Sequence, residues 1–110
     1  MVQGGWMQGV CLKVFVGEIQ RHEGKLLFEW LLEHAREIGI RGGTAIRAIA
    51  GYGRHGKLHE ETFFELAGDL PVEVTFLVND EQANALLALL REHKLSLLYV
   101  KTPVEYGVTG

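Results

Sequence analysis

Residues 72–94 read VEVTFLVNDEQANALLALLREHK, and this stretch decides the fold. Its first part, Val72 to Val78, follows Pro71 and is dominated by β-branched and apolar residues, which predicts a strand. Asn79 or Asp80 can cap a following helix, with Glu81 or Gln82 in its first turn. The apolar stripe of that helix is Ala83, Leu86, Leu87 and Leu90. We therefore predict a strand joined directly to an amphipathic helix that ends near His93.

A similar pair of elements precedes this stretch. Val10 to Val16 (VCLKVFV) is apolar, rich in β-branched residues and closed by Gly17, which predicts a strand. From Lys25 to Ile38, apolar residues recur at helical spacing and Gly39 follows, which predicts a helix. His34 falls on the apolar side of this helix, where a hydrogen-bonded core histidine is the expectation.

Two further strands complete the pattern. Thr44 to Ala50 (TAIRAIA) predicts one, and Ser96 to Lys101 (SLLYVK) predicts the other, with Pro103 expected to stop it because proline cannot donate to a strand ladder. A right-handed crossover makes the first two strands parallel. Two such split units give an α+β fold, the ferredoxin-like βαββαβ sandwich, whose four-stranded antiparallel sheet carries both helices on one face. We predict an N-terminal extension at 1–9, one domain at 10–103 and a tail at 104–110.

The face of the sheet opposite the helices is expected to be too apolar to stay wet. We assign to it Phe15, Ile49, Leu77, Leu98 and Val100, and we place Arg47 on the same face. This assignment predicts a homo-oligomer.

Composition narrows the class of protein. The 110 residues carry a formal charge of -3, which gives no net attraction to nucleic acid or to an anionic membrane. The single cysteine, Cys11, cannot form an internal disulfide, and no apolar run is long enough to span a bilayer. We expect a cytoplasmic protein without nucleic-acid binding or membrane insertion.

Two loops should leave the sheet at the same end in this topology, one from Glu18 to Gly24 and one from Gly51 to Leu70. Arginine, lysine and backbone amides beside glycines suit a phosphate. An ordinary polar loop cluster is the alternative. Together with the turn at His93 and Lys94, this edge would gather Glu18, Arg21, His22, Arg54, His55, Lys57 and His59.

The string Gly51-Tyr52-Gly53-Arg54-His55-Gly56 matches the dinucleotide fingerprint Gly-x-Gly-x-x-Gly and follows a predicted strand. However, residues 57–64 (KLHEETFF) lack the helix cap that a Rossmann site requires, so a glycine-hinged loop is favoured. His55 and His59 have the spacing of a helical metal pair that His22 would join, but the intervening glycine disfavours a helix. Ser96 is the only serine and lies in a predicted strand, and nothing else in the chain predicts catalysis.

Several separated motifs together resemble domain of unknown function family 190, which is similar in fold to the PII signalling proteins. The resemblance extends from about Leu12 to Val100. Its motifs are Gly17-Glu18, Arg21-His22-Glu23-Gly24, Leu27-Phe28-Glu29, Gly51-Tyr52-Gly53 and Leu66-Ala67-Gly68-Asp69-Leu70-Pro71.

The resemblance implies a homotrimer with ligand clefts between subunits and a mobile loop, Arg54 to Leu70, that signals occupancy. It implies an adenine nucleotide held by the end of strand two, Gly51 to Gly53, and by the loop before strand four. That second loop is Arg91-Glu92-His93-Lys94-Leu95 here instead of a glycine-rich phosphate loop, which disfavours a triphosphate. Arg54, with Arg21 or His22, would replace the missing phosphate contacts.

The function predicted on this basis is a non-enzymatic regulatory protein. It would need no cofactor, bind AMP or ADP and report to a protein partner such as a membrane transporter. The alternative is a divalent-metal-binding tolerance protein on the same trimeric fold, using His55, His59 and His22.

Overall fold

The structure is a computed structural model that describes residues 6–51 and 70–110. Its elements, in chain order, are β1 (Trp6–Gly17), β2 (Arg21–His22), β3 (Lys25–Leu26), α1 (Leu27–Glu37), β4 (Thr44–Arg47), β5 (Pro71–Val78), α2 (Asp80–Glu92) and β6 (Leu98–Gly107).

The main sheet has the strand order β4-β5-β1-β6, and every neighbouring pair is antiparallel. Strand β1 lies at the centre, where Val10 is opposite Val78 on one side and Phe15 is opposite Leu98 on the other. Because β5 separates β1 from β4, these two strands run parallel without touching, as a split crossover requires. The predicted ferredoxin-like topology is confirmed. Strands β2 and β3 form a separate small hairpin after β1.

The core lies between the sheet and the two helices. Strand side chains alternate between faces, so residues 10–16 of β1 and residues 71–78 of β5 bury every second residue while the residues between are half-buried or exposed. The helices cover this buried face with their apolar stripes, and Trp30 and Phe76 are the largest fully buried side chains. The buried strand positions are Val10, Leu12, Val14, Val16, Val72, Val74, Phe76 and Val78.

Asn79 caps α2, which resolves the choice between Asn79 and Asp80. Its side-chain oxygen accepts a hydrogen bond from the Gln82 amide at 2.7 Å, and the Gln82 side chain accepts one from the Asn79 amide at 3.0 Å. This reciprocal pair satisfies two amides that would otherwise lack partners. The strand-to-helix junction predicted from residues 72–94 is confirmed.

Both helices end in the same backbone motif. At α1, Gly39 has φ +98° and the Ile40 amide donates to the Ala35 carbonyl; at α2, Lys94 has φ +58° and the Leu95 amide donates to the Leu90 carbonyl. These are Schellman ends, in which a residue with left-handed backbone angles follows the helix. Glycine adopts that conformation freely and lysine does not, so α2 ends on a strained residue.

Replacing Lys94 with glycine should therefore stabilise the protein. We expect the free energy of unfolding to rise by about 0.5–1 kcal/mol, the relief of left-handed strain less the extra entropy of an unfolded glycine. Urea denaturation followed by circular dichroism measures this. The matched control is Ala88→Gly, at an exposed position within α2, which should lower the free energy of unfolding by about 1 kcal/mol. Equal losses in both variants would contradict the assignment.

Pro103 does not stop the last strand, so that prediction is wrong. Strand β6 runs from Leu98 to Gly107, and Pro103 lies opposite Val10 in the ladder with β1. In the described sheet β6 has a neighbour on one side only. A proline fits an outermost strand where its nitrogen faces away from the neighbour, because no hydrogen bond is then lost.

The side assignment of the second strand is also wrong. Ile46 lies opposite Glu73 and is 57% exposed on the outer face, whereas Arg47 lies opposite the buried Val72 and so shares the helix-covered side. Ile49 lies beyond the end of β4. A shift of one residue exchanges the two faces of a strand. The exposed apolar positions on the outer face are Ile46, Leu77, Leu98 and Val100, with Phe15 half-buried beside them.

Candidate functional site

The end of β1 and the end of β4 lie beside the start of β5, at one end of the sheet. The Glu18 amide donates to the Leu70 carbonyl at 2.8 Å, and the Ala48 amide donates to the Pro71 carbonyl at 2.9 Å. The Arg47 guanidinium donates to the Glu18 carboxylate at 3.1 Å. These contacts place Glu18 beside both ends of the segment that follows β4, as the topology predicted.

A shallow groove of about 390 Å³ opens next to this edge. Its surface is mostly apolar, and the Glu18–Arg47 ion pair supplies its charged groups. The lining residues are Glu18, Ile19, Leu26, Phe28, Ala45, Arg47 and Val72. An apolar groove with a few placed polar groups is a common setting for a small organic ligand.

Gly51 is the last described residue before 52–69, where the other predicted site residues of this segment lie. A Cβ built on Gly51 would lie 3.2 Å from the Pro71 ring, so the backbone passes close to the start of β5. Six of the predicted nucleotide-binding residues lie in 52–69, beyond the described part: Tyr52, Gly53, Arg54, His55, Lys57 and His59.

Arg21 and His22 are adjacent in the hairpin and therefore project to opposite sides. Arg21 is exposed and donates to the Gly24 carbonyl at 3.2 Å. His22 points inward, with its ring centroid 4.8 Å from that of Trp30. The hairpin turn consists of Glu23 (φ +53°) and Gly24 (φ +82°), both with positive φ as favoured in two-residue hairpin turns.

His22 lies close to His93, the C-cap residue of α2. The sequence predicted that the turns carrying these two residues lie near each other. His22 Nε2 lies 3.2 Å from His93 Nδ1. Glu23 Oε2 lies 3.6 Å from His22 Nε2 and 3.5 Å from His93 Nδ1. We call these three residues the His-Glu-His triad.

Trp30 and His34 form the wall behind the triad. The Trp30 indole N–H donates to the other carboxylate oxygen of Glu23, Oε1, at 3.3 Å. His34 stacks on the Trp30 ring at 4.1 Å, and its Nδ1 lies 2.9 Å from the Trp30 carbonyl. His34 is thus a half-buried, hydrogen-bonded histidine. The sequence predicts neither Glu23 nor Trp30 as a site residue, because a turn glutamate and a tryptophan among the apolar positions of a helix carry no sign of this contact.

Contacts with α1 and with the end of β1 hold the hairpin in place. The Leu27 amide donates to the Gln20 carbonyl at 2.7 Å, and the Gln20 side chain accepts from the Gly17 amide at 2.9 Å. Lys25 also donates a short hydrogen bond to Glu33, which raises the pKa of Lys25 and lowers the pKa of Glu33. The triad is therefore carried by an anchored hairpin.

This topology, with two helices on one face of a four-stranded sheet, is that of PII-like proteins. Residues 9–106 match DUF190, a family described as uncharacterized ACR. The chain belongs to this family. A UPF0166 protein of Aquifex aeolicus is 38% identical over 76 residues, which is 69% of this chain and 72% of the relative.

Solved structures of CPII from Thiomonas intermedia K12, a nitrogen regulatory PII-like protein, share the fold. One, bound to ADP and bicarbonate, has a TM-score of 0.60 at 18% identity and covers 94% of this chain and 92% of its own. Another, bound to ADP, AMP and bicarbonate, has a TM-score of 0.59 at 17% identity and covers 94% and 98%. In the described parts of the chain, no helix has the length and apolar character needed to cross a membrane.

Proposed function

We propose that the chain is a PII-like regulatory protein that binds an adenine nucleotide, AMP or ADP, in clefts between the subunits of a cytoplasmic homotrimer. Family membership and the PII-like fold support a regulatory role. The nucleotide proposal is based on the contact of Glu18 with Arg47 beside an apolar groove, at the end of the sheet where Gly51 passes close to Pro71. CPII, which shares this fold, is described as bound to ADP and AMP.

The groove and its surroundings supply complementary chemistry for a nucleotide. Its apolar lining suits a purine, and the Glu18 carboxylate can accept hydrogen bonds from ribose hydroxyls. Arg54 and Lys57 would bring positive charge to the phosphates, with backbone amides at the Gly51-Tyr52-Gly53 string. In this proposal the loop from Arg54 to Leu70 changes conformation on occupancy and reports to a protein partner such as a membrane transporter.

The apolar outer face supports the assembly. Ile46, Leu77, Leu98 and Val100 are each at least 41% exposed on that side of the single chain. Such a face is stabilised when other subunits cover it. The alternative function, a divalent-metal tolerance protein, was assigned to His55, His59 and His22, of which His55 and His59 lie outside the described residues, and we do not propose it.

Calorimetric titration of the protein with AMP, ADP and ATP tests the proposal. Arg54→Ala removes a charge-assisted pair to phosphate, so affinity for AMP or ADP should fall roughly tenfold to a hundredfold. The matched control is Arg41→Ala, an exposed arginine before β4 and so at the opposite end of that strand. Its affinity should equal that of the parent protein.

Two outcomes would count against this proposal in different ways. Unchanged affinity in Arg54→Ala would remove Arg54 from the site while leaving the nucleotide in place. Absence of binding of all three nucleotides by the parent protein would end the adenine-nucleotide function.

A further inference from the structure

We propose that the His-Glu-His triad binds a divalent transition-metal cation such as Zn²⁺. The ligand atoms are His22 Nε2, His93 Nδ1 and Glu23 Oε2, which all lie within 4.8 Å of one another. None of these three residues lines the groove beside Glu18 and Arg47; they come from the hairpin and from the end of α2.

The spacing of the three atoms is that of one face of a tetrahedral zinc site. Their separations are 3.2, 3.5 and 3.6 Å. Zinc binds nitrogen and oxygen ligands at about 2.0–2.2 Å, and at the tetrahedral angle two such ligands lie roughly 3.3–3.6 Å apart. A cation can therefore contact all three atoms with little movement, and its fourth position stays open for water or another ligand.

Hydrogen bonding between neutral histidines and Glu23 does not account for this arrangement. One proton can lie between His22 and His93, which are 3.2 Å apart. The Glu23 oxygen, at 3.5 and 3.6 Å from the two nitrogens, is at or beyond the limit of a hydrogen bond to either. Three groups that can each offer a lone pair thus lie within 3.6 Å of one another, and a shared cation would satisfy all of them.

The surroundings orient the carboxylate for this role. Trp30 donates to Glu23 Oε1, which leaves Oε2 directed at the two histidines. Metal ligands in proteins are commonly fixed by such outer hydrogen bonds. Trp30 is only 1% exposed, so this donor is held rigidly by the core.

Backbone strain in the described residues is concentrated at the same place. Within 6–51 and 70–110, the non-glycine residues with positive φ are Glu23 and Lys94. Glu23 is a ligand, and Lys94 directly follows the ligand His93. Strained backbone of this kind persists where the surrounding structure holds it and is frequent at binding sites. In addition, His93 lies at the C-terminus of α2, whose dipole favours a nearby cation.

The ligand set indicates the class of cation. Two imidazoles and one carboxylate suit Zn²⁺, Co²⁺ and similar ions, whereas Mg²⁺ and Ca²⁺ prefer oxygen ligands alone. A bound cation would join the hairpin after β1 to the turn before β6, residues 71 positions apart in the chain. Binding to the folded state alone would raise the stability of the protein.

Titration of chelator-treated, nucleotide-free protein with Zn²⁺ tests the proposal. We expect one Zn²⁺ per chain by calorimetry, and with Co²⁺ the intense visible absorption of a four-coordinate ion. In His22→Gln and His93→Gln, affinity for Zn²⁺ should fall by more than the roughly 10- to 100-fold that loss of an outer-shell partner costs. The matched control is Glu29→Gln, which alters an exposed carboxylate of α1 outside the triad and should bind Zn²⁺ like the parent.

Glu23→Gln separates metal binding from a structural role. Glutamine keeps the side-chain length and an oxygen that can accept from the Trp30 indole, but it removes the carboxylate charge. The metal-free variant should therefore unfold at nearly the same urea concentration as the parent and bind Zn²⁺ more weakly. A Glu23 that serves only to accept from Trp30 would leave Zn²⁺ affinity unchanged in this variant.

The proposal is overturned if the parent protein binds neither Zn²⁺ nor Co²⁺, or if His22→Gln and His93→Gln bind Zn²⁺ like the parent. Loss of binding in a His55→Gln/His59→Gln variant, with binding retained in His22→Gln, would also overturn it. Because no nucleotide is present, these results do not depend on the nucleotide proposal.

Discussion

Replacing Trp30 with alanine is expected to lower the free energy of unfolding by about 3–5 kcal/mol, because the indole is buried and its removal leaves a cavity. Trp30 belongs to the hydrophobic core and also packs against His22, His34 and His93. A loss of this size is comparable with the whole stability of many small domains. Urea denaturation followed by circular dichroism measures it without relying on tryptophan fluorescence.

Trp30→Phe is the informative companion variant. It retains an aromatic ring in the core but removes the N–H that donates to Glu23. Its stability should lie between those of the parent and the alanine variant, while its affinity for Zn²⁺ should fall roughly 10- to 100-fold. A loss below about 1 kcal/mol in Trp30→Ala would contradict the buried position of the ring, since such truncations cost several times more.

Leu98→Glu is expected to convert the proposed trimer into monomers. Leu98 is 65% exposed on the outer face of the single chain and lies opposite Phe15. If subunits cover this face, each chain of the trimer would bury an unpaired carboxylate at a cost of about 3–5 kcal/mol. Light scattering at micromolar concentration should then give three times the monomer mass for the parent and the monomer mass for the variant.

The matched control for assembly is Ala88→Glu, which adds the same charge at an exposed position of α2, on the helix side of the sheet. It should retain the mass of the parent. A parent protein that scatters as a monomer would refute the trimer itself, and a Leu98→Glu variant that remains trimeric would place the subunit contacts elsewhere.

The parts of the fold that followed from the sequence are those where one pattern had a single interpretation. In residues 72–78 the alternation leaves only one set of side chains that can face a core, and Asn79 with Gln82 marks the next helix start. In Thr44 to Ala50, by contrast, apolar residues occupy both sides of the strand. Ile46 and Ile49 are then equally plausible outer residues, and only pairing with β5 decides between them.

The candidate site divides in the same way. The topology predicts that Glu18 lies beside the ends of the connection between β4 and β5, and that His22 lies near His93. The roles of Glu23 and Trp30 do not, because they depend on a left-handed backbone angle and on the direction of one indole N–H. Neither property has a signature in a single sequence.

Pro103 also bears on how the chain avoids aggregation. Strand β6 is ten residues long, and within residues 6–51 and 70–110 no strand pairs with its outer side, so its backbone groups there could pair with a strand from another molecule. Pro103, near the middle of that row, has no N–H to give to an incoming strand. Lys101 and Glu105 flank it with exposed charges that oppose close stacking of identical chains. Pro103 therefore costs no hydrogen bond in the ladder with β1, but it interrupts the row of donors that amyloid-like growth on β6 would need.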